Sequence, residues 1–120
     1  MATFAKNKLS GSTDGMAIKV TGTSTAATVT VHTAVAGTTS GVFDEIWLYA
    51  NNTSASAVKL TLEWGTATAA DGNIELTIAA ESGLVLVIPG LILQNSLVVK
   101  AFAATGDVIL LSGFVNSITA

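Results

Sequence analysis

The chain has 120 residues, a length that fits one domain, and charged residues make up only 11% of it, against roughly 25% in an ordinary soluble domain. A net charge of −3, with five lysines, no arginine and no basic cluster, argues against a nucleic-acid-binding surface. The absence of cysteine excludes disulfides, thiolate metal sites and cysteine nucleophiles.

Met1 to Gly15 has no periodicity and ends in a cluster of turn residues, LSGSTDG. It reads as an extended N-terminal arm over 1–15, with Phe4 and Leu9 as its apolar anchors. Lys6 and Lys8 stand at alternate positions of that arm, so in an extended conformation both point the same way, towards a partner surface. A secretory leader is not visible, because the lysines are followed by no apolar core.

From residue 16 to residue 120 the sequence reads as a single all-β domain. Met16 to Val20 alternates and gives a short first strand. Thr28 to Val35 is rich in β-branched residues and gives a second. His32, the only histidine, falls there among alternating Thr and Val, on the side assigned to solvent and away from any nucleophile. Val42 to Ala50 (VFDEIWLYA) is the next strand; its adjacent Asp44 and Glu45 must point to opposite faces, which defeats them as a local carboxylate pair. After the turn Asn51-Asn52-Thr53-Ser54, the segment Val58 to Trp64 places Val58, Leu60, Leu62 and Trp64 on one face and Lys59, Thr61 and Glu63 on the other. That is the period-two pattern of a half-buried strand, and the two segments read as a hairpin.

Asp71-Gly72 is a strong turn pair, after which Ile74, Leu76 and Ile78 alternate with Glu75 and Thr77. The stretch from Gly83 to Phe102 then dominates the chain. Leu84 to Leu93 is apolar at every position apart from the Pro89-Gly90 break, and Leu97 to Phe102 follows as another apolar run. In the first run Val85 and Val87 fall on one face and Leu84, Leu86 and Ile88 on the other, so both faces ask to be covered. At ten residues it is about half the ~20 that a spanning helix needs, so no membrane is implied. Thr105-Gly106-Asp107 reads as a tight turn between Leu97–Ala103 and Val108–Val115. About eight strands at this spacing, with no helical period, give an antiparallel β-sandwich or jelly roll.

No constellation carries catalysis, a metal or a cofactor. The carboxylates are scattered, without calcium-loop spacing, and the glycine pairs at Gly11–Gly15 and Gly37–Gly41 lack the Lys-Ser or Lys-Thr and the helix that a phosphate loop requires. Trp47 and Trp64 read first as core aromatics; as the alternative, they would line a ligand groove in a carbohydrate-binding module. With charges so sparse and one strand apolar on both faces, an isolated copy would expose a large apolar patch. The expectation is a homo-oligomer, a trimer before other numbers. Its interface is placed on Phe4, Lys6, Lys8 and Leu9 of the arm and on the apolar run, at Leu84, Val85, Leu86, Val87, Ile88, Leu91, Ile92 and Leu93.

In texture and order, MATFAKNKLSGSTDG, DEIWLYANN, SGLVLVIPGLILQN and GFVNSIT resemble small virion proteins of tailed bacteriophages, nearly end to end. The resemblance implies a capsid decoration (cement) protein, assembled in the host cytoplasm and bound to the major capsid protein or another virion protein at the capsid surface. A head–tail connector, tail or fibre component is the alternative within the same virion. Neither nucleic acid nor membrane is expected as a partner.

Overall fold

A computed structural model describes residues 2–119 and is all-β. Nine strands follow in chain order: β1 (Thr3–Lys8), β2 (Ile18–Val20), β3 (Val29–Thr33), β4 (Phe43–Asn52), β5 (Val58–Trp64), β6 (Asn73–Ile78), β7 (Val85–Leu93), β8 (Val98–Ala103) and β9 (Ile109–Thr119). The one helical feature among the described residues is a 3-10 turn at Thr25–Ala27.

All the pairings are antiparallel and form two sheets. One has the order β1-β9-β4-β7, with β2 also on β9; the other has the order β3-β8-β5-β6. β1 and β2 share one edge of β9, β1 beside Phe114–Thr119 and β2 beside Ile109–Leu111. The ladders nest around a single hairpin: β5 pairs β6, β4 pairs β7, β3 pairs β8 and β2 pairs β9. A long hairpin folded over on itself in this way is the jelly-roll arrangement of the β-sandwich, as the sequence led us to expect.

The same nesting overturns two hairpins read from the sequence. β4 and β5 lie in different sheets, as do β8 and β9. The turns after Asn52 and around Gly106 are present, but each carries the chain across the sandwich. Sequence proximity of two strands does not reveal whether the connection closes a ladder or changes layer. The hairpin that does form joins β5 to β6, with Val58 opposite Ile78 and Glu63 opposite Asn73.

Alternate residues of the two inner faces make the core. Ile46 and Leu48 of β4, Leu60 and Leu62 of β5, Val99 and Ala101 of β8, and Ile109, Leu111 and Val115 of β9 are fully buried. Trp64 packs against this cluster as a core aromatic. Gly113 sits where β9 passes β4, and a Cβ there would lie 2.0 Å from the Trp47 carbonyl oxygen, so the close strand approach requires glycine.

His32 is the clearest departure from the sequence reading. It is buried, not solvent-facing. The register of β3 on β8 shifts between Thr30 and His32, so both Val31 and His32 turn inward; one extra residue in a strand reverses the alternation that follows it. The Ser10 N–H donates to His32 Nδ1 at 3.0 Å, which puts the ring proton on Nε2, 2.8 Å from Asp44 Oδ2. Asp44 also accepts from the Val35 N–H and the Ser117 hydroxyl. This network ties the arm, β3, β4 and β9 together at one end of the sandwich.

The arm splits into two parts. Residues 3–8 are extended, as expected, and pair with β9 as an edge strand. Leu9 then turns into the core with 1% of its surface exposed, and the Gly11 N–H bonds the Val31 carbonyl. Leu9 is therefore a core residue and no part of a free surface.

Candidate interaction surface

Strand pairing sorts the β1-β9-β4-β7 sheet into an inner and an outer face, because residues directly opposite in a ladder share a side. Val115 and Ile46 are opposite one another and buried, which fixes the inner face. The outer face then carries Phe4, Lys6 and Lys8 from β1, Phe114, Asn116 and Ile118 from β9, Phe43, Glu45 and Trp47 from β4, and Leu86, Pro89 and Ile92 from β7. Lys19 of β2 extends the lysine row of β1 along the same edge.

The centre of this face is aromatic. Trp47 and Phe114 are cross-strand partners with ring planes 13° apart and centroids 6.2 Å apart. Lys6 Nζ lies 4.3 Å from the Phe114 ring centroid, on the order of contact that yields a cation–π attraction. The Trp47 indole N–H donates to Glu45 Oε1 at 2.7 Å, and Asn116 Nδ2 donates to the same oxygen at 3.0 Å. These two donors, the indole first, hold the Glu45 carboxyl below its usual pKa. On the other side the indole overlies Gly90, where φ is +79° and a Cβ would meet Trp47 carbon at 2.8 Å. Glycine at that bulge satisfies both the left-handed backbone and the space for the ring.

Around this centre the face is apolar and open. Phe4 is 69% exposed, Ile92 54% and Leu86 44%, with Leu84 just before β7 at 66%. All six residues of β1 are exposed, including those on the core side, so no second layer covers this end of the sheet. The molecule is correspondingly elongated, 48 × 27 × 21 Å.

The apolar run divides between surface and core. Leu84, Leu86 and Ile92 reach the outer face or its margin, and Leu91 is exposed at the free edge on the inner side. Ile88 and Leu93 are buried in the core, Val87 packs against it, and Val85 is half-buried opposite Ala50. Ile88 and Leu93 are therefore closed to a partner, contrary to the sequence reading, whereas Val85 and Val87 keep part of their surface exposed. Two register shifts in the β4–β7 ladder interrupt the alternation, so inward and outward residues could not be assigned by counting. Trp47 and Trp64 lie in different sheets, on an outer face and against the core respectively. They cannot line one groove.

Sequence reasoning missed Phe114, Asn116 and Ile118. The signal was present in β9, where Leu110, Ser112, Phe114, Asn116 and Ile118 alternate with inward positions that include the buried Ile109, Leu111 and Val115.

The edges of this sheet are guarded while its face is not. The β1–β2 edge carries three of the five lysines. The β7 edge carries Pro89 and the two register shifts. Lysine, proline and bulges are devices that keep strands from pairing edge to edge. These devices leave the outer face as the open apolar surface of the sheet.

Among the described residues no group of three or more His, Asp and Glu side chains is placed to hold a metal ion. Both ring nitrogens of His32 are engaged, one by a backbone N–H and one by Asp44, and no hydroxyl bonds to the ring. Comparison with protein-family models, with curated proteins and with solved structures finds no match.

Proposed function

We propose that the chain is a non-enzymatic structural protein of a bacteriophage virion, a decoration (cement) protein that coats the capsid by docking the outer face of its β1-β9-β4-β7 sheet onto other copies and onto the major capsid protein. The observation that carries this reading is the exposed apolar face itself. Phe4, Leu84, Leu86 and Ile92 surround the Trp47–Phe114 pair on a sheet whose edges are guarded. Contiguous apolar surface of this kind marks an interaction site in soluble proteins, and aromatic side chains at its centre are the usual anchors of such contacts.

The charge pattern supports the same reading. Lys6, Lys8 and Lys19 line one margin of the face, and its one carboxylate, Glu45, is already bonded to Trp47 and Asn116. A partner surface that is apolar in the middle and acidic at one rim complements it. The resemblance to phage virion proteins supplies the identity of that partner.

The test is stoichiometry in purified particles, measured by quantitative mass spectrometry against the major capsid protein. A decoration protein is present in hundreds of copies, following the capsid symmetry. A dozen copies or fewer would instead place the chain in a connector, tail or fibre, and absence from the particle would refute a virion role.

A further inference from the structure

β1 and β2 are two parts of one edge, both paired with β9, and residues 9–17 join them by leaving that edge and crossing to β3 of the other sheet. Three bonds fasten this strap. The Ser10 N–H donates to His32 Nδ1 at 3.0 Å, the Thr33 N–H donates to Ser10 Oγ at 2.7 Å, and the Gly11 N–H donates to the Val31 carbonyl at 2.9 Å. The approach is close, since a Cβ on Gly11 would lie 2.2 Å from the Thr30 carbonyl oxygen. We propose that His32 is a proton-operated catch on this strap: protonation of its Nδ1 releases Ser10 and Gly11 from β3, while Leu9 stays in the core as the strap's apolar anchor.

A neutral imidazole has one donor nitrogen and one acceptor, whereas an imidazolium has two donors. The Ser10 N–H can meet Nδ1 only while that nitrogen keeps its lone pair, so the strap closes on the neutral ring. Protonation sets an N–H against an N–H where the side chain is only 7% exposed, and an unmet buried donor is costly. The other end of the ring does not give way in exchange. Nε2 lies 2.8 Å from Asp44 Oδ2, and Asp44 is itself held by the Val35 N–H and the Ser117 hydroxyl. A carboxylate at this distance attracts an imidazolium, so Asp44 keeps the ring in place and the strap is the side that moves.

Other charges stand apart from the ring. β8 sets Val99 opposite His32 and turns Lys100 to the other face, opposite the exposed Thr30. Glu45 of β4 and Lys6 and Lys8 of β1 lie on the outer face of their sheet, and Asp14 of the strap is exposed. Among the described residues His32 forms its ion pair with Asp44 alone. Histidine is the side chain whose charge ordinarily changes between about pH 5 and pH 8, so the catch opens as the pH falls. With the strap released, β1 keeps its ladder on β9 and loses its polar ties to the other sheet. The catch operates whatever the outer face docks, and goes beyond the role proposed above.

The experiment is a titration of the ¹⁵N-labelled protein from about pH 8 to about pH 4.5, spanning the ordinary histidine range. The His32 ring nitrogens are followed by long-range proton–nitrogen correlation. Amide exchange, corrected for the intrinsic effect of pH, is followed at Ser10, Gly11 and Thr33. At the upper end Nδ1 should carry the lone pair and Nε2 the proton. As Nδ1 takes up its proton, protection at the three amides should fall by roughly ten-fold or more with the same midpoint, while Leu60 and Leu62 in the core keep theirs. In His32→Gln the carboxamide accepts from Ser10 and donates to Asp44 at every pH, so no step should appear. A ring that titrates without loss of protection, an Nδ1 that stays unprotonated until the whole domain unfolds, or the same step in His32→Gln would overturn the proposal. The first two outcomes are read on the wild type, so the test holds even if the variant does not fold.

Discussion

Replacing His32 with alanine removes the centre of the network that joins the arm to both sheets. Two partners are lost at once. The Ser10 N–H loses its acceptor, and Asp44, itself buried, loses the closest of its three donors. An unsatisfied buried group costs ~1–3 kcal/mol and a hydrogen bond to a charged group contributes ~1.5–3 kcal/mol, so the combined loss should be about 3–5 kcal/mol. In a domain of this size ~1 kcal/mol moves the melting temperature by roughly 4 °C, which makes the expected fall ~10–20 °C. Urea and thermal unfolding followed by circular dichroism would measure it. His32→Gln should recover part of the loss, because a carboxamide can accept from Ser10 and donate to Asp44 at the same time. If His32→Ala costs less than ~1 kcal/mol, within the range of an ordinary surface substitution, the network does not hold the arm and the reasoning is wrong.

Gly90→Ala should destabilise the protein by ~1–3 kcal/mol, the range for a residue forced into a sparsely populated conformation, and should also shift the fluorescence of Trp47 as the indole is pushed off β7; an unchanged spectrum and stability would contradict the geometry. Glu45 has a depressed folded-state pKa, so the stability it contributes is fully present above its ordinary value of 4.5 and is lost as the pH falls through the lower folded value. Melting curves of the wild type and Glu45→Gln should therefore converge as the pH falls below about 4 and separate above about 5, and parallel curves would count against the Trp47–Glu45 bond. Deleting residues 2–7 should leave the sandwich folded, since β1 buries nothing, whereas Leu9→Ala should cost ~2–5 kcal/mol as a large-to-small change in the core. Equal stability of the Leu9→Ala variant and the wild type would show that the arm is not anchored there.

The strands were legible wherever alternation ran without interruption. The inward faces of Val58–Trp64 and Ile74–Ile78 read correctly because each lies in a ladder free of register shifts, β5 on β6 and β8, but the other face of β5 did not, since Thr61 and Glu63 are buried as well. Facing failed at bulges, which insert a residue without leaving a sequence signature: His32 went inward, and the run from Val85 to Leu93 mixed buried and exposed positions. Pairing of neighbouring strands failed for a different reason. Whether a turn closes a hairpin or crosses between layers depends on the whole topology, and neither Asn51–Ser54 nor Thr105–Asp107 encodes that locally. Burial of Glu63 was equally hidden, because its cover comes from Thr25, thirty-eight residues earlier in the chain. The outer face was legible in part: Phe4, Lys6, Lys8, Leu86 and Ile92 lie on it, whereas its aromatic centre needed the pairing of β4 with β9 to appear.

That the outer face of the β1-β9-β4-β7 sheet is an assembly interface can be tested most directly by sedimentation of the wild type beside a Leu86→Asp/Ile92→Asp variant at micromolar concentration. Both substituted side chains are already exposed, so the variant should keep its fold and its melting temperature. The wild type should sediment as a homo-oligomer, a trimer by expectation, and the variant as a monomer, since each buried charge introduced at an apolar contact opposes association. A wild type that is itself a stable monomer, or an oligomer that persists unchanged in the variant, would contradict the assignment of this face.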